Sequence, residues 1–75
     1  MKVVLVKWQD HYSAYGWFAP EDVAAKGHLN ISAGILIEKN HEHTTIAQTA
    51  HADGSQYADL LHILTKDIIK IEELN

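Results

Sequence analysis

The chain contains no cysteine and no arginine among its 75 residues, and it has a single proline. Without cysteine, no disulfide can stabilise a domain so short that it buries only roughly 60% of its unfolded surface. A core, a metal or oligomerisation must supply that stability instead. We expect a homo-oligomer, because a small β domain also has edge strands to cover. The lack of cysteine fits a reducing cytosol, so we predict a cytoplasmic protein.

The charge balance disfavours polyanionic partners. Six lysines face ten acidic residues, which gives a formal net charge of −4. Residues 38–75 hold the whole acidic excess, with three lysines and seven acids. Because phosphate binding needs clustered Lys and Arg, we expect neither nucleic acid nor an anionic membrane surface as a partner. No apolar run approaches about 18 residues, and the apolar start is too short for a signal peptide, so we expect no membrane contact.

The segment Ile31–Ile37 has the clearest pattern in the chain. Apolar residues alternate with polar or small ones, and only Leu36 breaks the alternation. Side chains of a strand alternate between two faces, so the segment predicts a strand with one buried face. On this interpretation Ile31, Ala33, Ile35 and Ile37 face the core.

Other signals place further elements around this strand. We predict a first strand at Val3–Trp8, a two-turn helix beginning at Pro20 and stopping at Gly27, a turn at Asn40, a strand at Thr44–Ala50 and a turn at Asp53-Gly54. The first strand begins apolar on both faces, which is typical of a central or interface position.

The last third, Tyr57 to Leu74, supports two interpretations. Apolar residues recur every 3.5 residues on average from Tyr57 to Ile71, which is typical of a helix. The β-branched run at Ile68-Ile69-Lys70-Ile71 favours strands instead, with Thr65-Lys66-Asp67 as a tight turn. Periodicity alone leaves both open.

Several short motifs occur in a recognisable order: Trp8-x-Asp10, Gly16-Trp17, Ser32–Glu38 and Ile68–Leu74. This order resembles a group of small, mostly uncharacterised bacteriophage and prophage proteins. The chain departs from that group at Leu64, where proline is usual, and at His41 and His43, where acids are usual.

The resemblance implies strands in the last third. It implies that residues 1–75 form a single, mainly β domain: a small five-stranded SH3/Sm-like barrel with one short helix between strands 1 and 2. Barrels of the Sm type form rings. The resemblance also implies a location in the bacterial host cell, and phage accessory proteins of this size often block host defence. Fold analogy carries no function by itself.

Six histidines make this residue unusually frequent. His41 and His43 are weak candidates for a metal site, because zinc needs three or four ligands within about 2.0–2.2 Å of the ion. Asp10, His11 and Ser13 are neighbours in sequence, which does not make them a catalytic triad. We therefore predict no metal, no cofactor and no enzymatic activity, since a chain of this size has little room for a deep cleft.

Five of the six aromatic residues lie between Trp8 and Phe18. They support two hypotheses: Trp8 and Trp17 pack in the core, or the segment forms a recognition surface. The candidate partner-binding or ligand-binding residues are Asp10, His11, Tyr12, Tyr15 and Trp17. The candidate oligomer interface is the outward face predicted for the central strand, with Ser32, Gly34 and Leu36.

The resemblance and these residues together favour a non-catalytic accessory binding protein. It would act stoichiometrically on a host protein or a small ligand, in a role that counters host defence. The alternatives are an oligomeric sponge for nucleotide signals, an Sm-like RNA-binding protein and a histidine-based metal-binding protein.

Overall fold

One antiparallel sheet forms the fold. The computed structural model describes residues 1–11 and 27–75, with the backbone alone for His11, Gly27 and His28. Its strands are β1 (Val3–His11), β2 (Gly27–Lys39), β3 (His43–Ala50), β4 (Tyr57–Leu64) and β5 (Ile68–Glu73). Their order across the sheet is β4-β3-β2-β1-β5, so β4 and β5 are its edges. The prediction of a mainly β fold is confirmed.

Both long strands extend beyond their predicted ends. β1 continues past Trp8 to His11, which pairs with Gly27 at the start of β2. The two strands therefore form a nine-residue ladder, which extends three residues beyond the predicted end of the first strand. The helix predicted from Pro20 lies outside the described residues, whereas Gly27, its predicted stop, is the first residue of a strand.

The last third consists of strands, as the resemblance implied. β4 leads through a three-residue 3-10 turn, Thr65–Asp67, into β5. The turn is attached to the β2–β3 connection, because the Thr65 N–H donates to the Glu42 carbonyl at 3.0 Å. The Thr65 hydroxyl also donates to the Asn40 carbonyl at 2.8 Å. These bonds fix the direction in which β5 leaves the turn.

The two predicted hairpin turns are present. At the first, the Asn40 carboxamide oxygen accepts the N–H groups of Glu42 and His43, each at 2.8 Å. At the second, the Gly54 N–H donates to the His51 carbonyl at 2.8 Å. Gly54 has φ +76°, a conformation that glycine adopts without steric penalty.

Among the described residues, the fully buried core cluster is small and comes from three strands. Val4 and Val6 of β1 pack with Ile46 of β3 and Ile63 of β4, and all four are at most 2% exposed. In a flat sheet, three strand spacings of about 4.8 Å would separate β1 from β4. Their side chains belong to one cluster, so the sheet must curl around it.

The curled sheet does not close into the predicted barrel. β4 and β5 both run antiparallel to their neighbours in an alternating sheet, which gives them the same direction. A turn of only three residues joins them, so they follow one another end to end. Side-by-side parallel pairing would require a crossover of about a dozen residues. The closed barrel is therefore wrong, and both edges stay unpaired in the described part of the chain.

Candidate interaction surface on the outer face of the sheet

The side chains of β2 alternate between two faces, as predicted, but the prediction of which face is buried is wrong. Ser32 and Gly34 lie opposite Val6 and Val4, which are core residues, and cross-strand partners share a face. Leu36 packs against the core cluster. Ile31, predicted to be buried, is 69% exposed.

Specific contacts explain why the small and polar residues face inward. The Trp8 indole N–H donates to the Ser32 hydroxyl at 3.0 Å, so the half-buried ring nitrogen has an acceptor. Gly34 lies so close to β3 that a Cβ atom there would be 2.7 Å from the Ala47 carbonyl oxygen. Thus Ser32, Gly34 and Leu36, the predicted interface residues, all make contacts within their own chain.

The opposite side of the sheet, which we call the outer face, is also apolar. Cross-strand pairing places one row over four strands, formed by Val3, Ile35, Ala47 and Leu60. Further apolar residues continue along β1 and β2: Leu5, Leu29, Ile31 and Ala33. Among the described residues, no second layer of secondary structure covers this face.

Exposure is uneven over the outer face. Leu29 and Ile31 are 62% and 69% exposed and Leu60 is 49% exposed, whereas Ala47 in the middle of the row is fully buried. Single exposed apolar residues are normal on proteins, but a contiguous apolar patch marks an interaction site. The exposed members of the outer face form one group on β2, with Leu60 on β4 separated from it by the half-buried Ile35 and the buried Ala47.

The charged residues beside this surface are mixed in sign. In the strand ladders, Lys7 lies opposite Ile31 of β2 and opposite Lys70 of β5. Lys70 also forms a 2.6 Å ion pair with Glu72, and this hydrogen bond and charge raise the pKa of Lys70 above its usual value. Among the described residues, this part of the rim therefore carries two lysines and one glutamate.

Only part of the predicted aromatic site lies within the described residues. Asp10 is half-buried near the end of β1, opposite His28, and the backbone of His11 pairs with Gly27. Tyr12, Tyr15 and Trp17 lie outside the described residues. The candidate site therefore stays a prediction, attached to the end of the β1–β2 ladder.

The histidines in the described part are spread out. His41 lies 3.5 Å from the Glu42 carboxylate in the first hairpin turn, and the His62 ring shares a 2.7 Å hydrogen bond with the Thr45 hydroxyl. Within residues 1–11 and 27–75, no three His, Asp or Glu side chains group around a possible metal position.

The second hairpin brings His51, Asp53 and Ser55 together, without the geometry of a triad. Ser55 is 3.4 Å from the His51 ring, but the Asp53 carboxylate accepts the Ser55 backbone N–H at 2.9 Å instead of orienting the imidazole. Hydrogen bonds from the Ser55 side chain and backbone lower the pKa of Asp53. This arrangement is a solvent-exposed turn.

The described residues thus form a small, open antiparallel sheet with apolar residues on its outer face. None of the family models, curated proteins or solved structures compared with this chain matches it. No described segment forms a helix that is both long and apolar enough to span a bilayer.

Proposed function

We propose that the protein is a non-catalytic accessory binding protein of the phage or prophage type, which self-associates through the outer face of its sheet. It acts stoichiometrically on a host protein or a small ligand in the bacterial cytoplasm. The observation that carries the self-association is the apolar outer face. The phage or prophage assignment rests on the order of the short sequence motifs alone.

A second copy of this chain is the occupant that best fits the outer face. A sheet with apolar residues on both faces needs a layer on each side, and the inner face is covered by the curl of the sheet itself. In a two-fold contact the same patch meets itself. Lys7 and Lys70 of one copy can then approach Glu72 of the other, so the rim does not oppose the contact.

The binding role uses other residues. The aromatic stretch begins in the last residues of β1 and contains Asp10, His11, Tyr12, Tyr15 and Trp17. Aromatic side chains are enriched at binding hot spots. We assign partner binding to this stretch. Self-association would present two copies of it on one assembly and raise avidity for a partner with two sites.

Sedimentation equilibrium over a range of protein concentrations tests the self-association. We expect the unmodified chain to form a dimer or larger assembly, and Ile31→Asp to dissociate it. Burying an Ile is worth roughly 1.5–3 kcal/mol, and a two-fold contact loses it twice. A loss of about 3 kcal/mol or more raises the dissociation constant by about 100-fold or more.

Tyr57→Asp is the matched control, because Tyr57 is also an exposed strand residue, at the far end of β4 and outside the apolar row. It should leave the assembly unchanged. A chain that stays monomeric at the highest concentration would overturn the proposal, and so would equal effects of Ile31→Asp and Tyr57→Asp.

A further inference from the structure

A cleft lies where β1 begins and where β2 and β5 end, away from the apolar outer face. It has a volume of about 270 Å³. The residues that line it are Lys2, Val4, Leu36, Lys39, Ile71 and Glu73. No aromatic residue is among them, so the cleft has no platform on which a nucleobase could stack.

The floor and the rim of the cleft differ in chemistry. Val4, Leu36 and Ile71 form an apolar floor that is continuous with the core. At the rim, the Lys2 ammonium lies 3.0 Å from the Glu73 carboxylate. Lys39 has no ion-pair partner among the described residues, so the rim has one surplus positive charge on a chain whose net charge is −4.

Hydrogen bonds hold the walls of this cleft in place. The Leu36 N–H donates to the Lys2 carbonyl at 2.8 Å, which fixes the segment before β1 against β2. The Leu74 N–H donates to the Val3 carbonyl at 2.7 Å. The Asn75 side chain bonds both the Val3 N–H and the Met1 carbonyl. A preformed wall reduces the entropy lost on binding.

From this arrangement we infer that the cleft binds a small carboxylate with a short apolar tail. The tail would lie on Val4, Leu36 and Ile71, and the carboxylate would meet Lys39 at the rim. The volume lies just below the range of about 300–1,000 Å³ that drug-sized ligands occupy, which points to a small molecule. Glu73 would repel a second negative charge, so the site selects monoanions over phosphates of higher charge.

Isothermal titration of the purified chain with sodium octanoate tests the inference. Octanoate should bind, whereas acetate, which has no tail, and octylammonium, which has the opposite charge, should not bind measurably. Equal binding of octanoate and octylammonium would show that the lysines do not select the ligand, and would overturn the inference. No binding of octanoate would overturn it as well.

Charge variants locate the site. Lys39→Glu should weaken octanoate binding by about five- to tenfold, because it removes an exposed attraction and adds a repulsion. Lys66→Glu, the same change in the 3-10 turn outside the cleft, should have no effect. Glu73→Gln should tighten binding a few-fold by releasing Lys2. Equal effects of Lys39→Glu and Lys66→Glu would overturn the assignment.

The variant Ile31→Asp separates this site from the outer face. It should keep octanoate binding even where it dissociates the assembly, because Ile31 does not line the cleft. Loss of octanoate binding in Ile31→Asp would place the ligand on the outer face and contradict the inference. Failure of self-association would leave the cleft test unaffected.

Discussion

Replacement of Gly34 by alanine tests how the sheet is packed. Gly34 lies in the interior of β2, where an added Cβ would be 2.7 Å from the Ala47 carbonyl oxygen and 3.2 Å from the Ile46 Cβ. The first atom belongs to the backbone of β3 and the second to a fully buried core side chain. Neither can move away as the end of a flexible side chain would, so β2 and β3 must separate locally.

The size of the effect follows from two opposing terms. Overpacking in a well-packed region typically costs about 1–3 kcal/mol. Alanine in place of a glycine in a strand interior returns roughly 0.5–1 kcal/mol through chain entropy. We therefore expect Gly34→Ala to lower the free energy of unfolding by about 1–2 kcal/mol. For a domain of this size, about 4–8 °C of Tm corresponds to each kcal/mol, so Tm should fall by roughly 5–15 °C.

Thermal unfolding followed by circular dichroism measures this change. Gly54→Asn is the control, since nothing lies within 4 Å of a Cβ at Gly54 and asparagine tolerates its φ of +76°. The control should change stability by less than about 0.5 kcal/mol, as is usual at surface positions. A Gly34→Ala chain as stable as the unmodified chain would refute the close approach of β2 and β3.

Three further perturbations address single features of the sheet. Asp59 has φ +57° inside β4, so Asp59→Gly should stabilise the chain by about 0.5–1 kcal/mol in chemical denaturation; a loss of stability would contradict the left-handed conformation. Ser32→Ala leaves the Trp8 indole N–H without its acceptor and should cost about 1 kcal/mol in the same assay, whereas an unchanged midpoint would exclude that hydrogen bond as a stabilising contact. The lowered pKa of Asp53 favours the folded turn above the carboxyl's unfolded pKa, and this contribution is lost as the pH falls through the folded value. In an NMR titration, Ser55→Ala should move the Asp53 pKa back up toward its ordinary value, and a pKa that stays low would exclude the Ser55 hydroxyl as its main cause.

Local sequence signals predicted local structure well. Asn40 and Asp53-Gly54 are turn residues whose own groups stabilise the turn, so both hairpins followed from the sequence. The sequence did not predict that β4 and β5 run end to end. This arrangement follows from the antiparallel strand order and the three-residue turn, and hydrogen bonds join Thr65 of that turn to residues of the β2–β3 turn more than twenty positions away.

The candidate surface shows the limit of an alternation pattern. Alternation separates two faces of a strand but does not say which of them is inside. Ile31 and Ala33 looked like core residues because they are apolar, whereas Gly34 faces inward because β3 approaches it closely. One signal for the outer face was present in Val3–Val6, which is apolar on both sides and belongs to a central strand. The long-range pairing of Ile35 with Ala47, and of Ala47 with Leu60, was needed to join these residues into one surface.

The central claim is that a second copy covers the outer face in solution. Since the chain has no cysteine, Ala33→Cys places a single thiol on that face, and its rate of maleimide labelling reports accessibility directly. We predict that labelling slows as protein concentration rises, while a single thiol at Ser55→Cys in the exposed β3–β4 turn is labelled at a constant rate. Labelling of Ala33→Cys at a rate independent of concentration, from the lowest to the highest concentration that stays soluble, would contradict the claim.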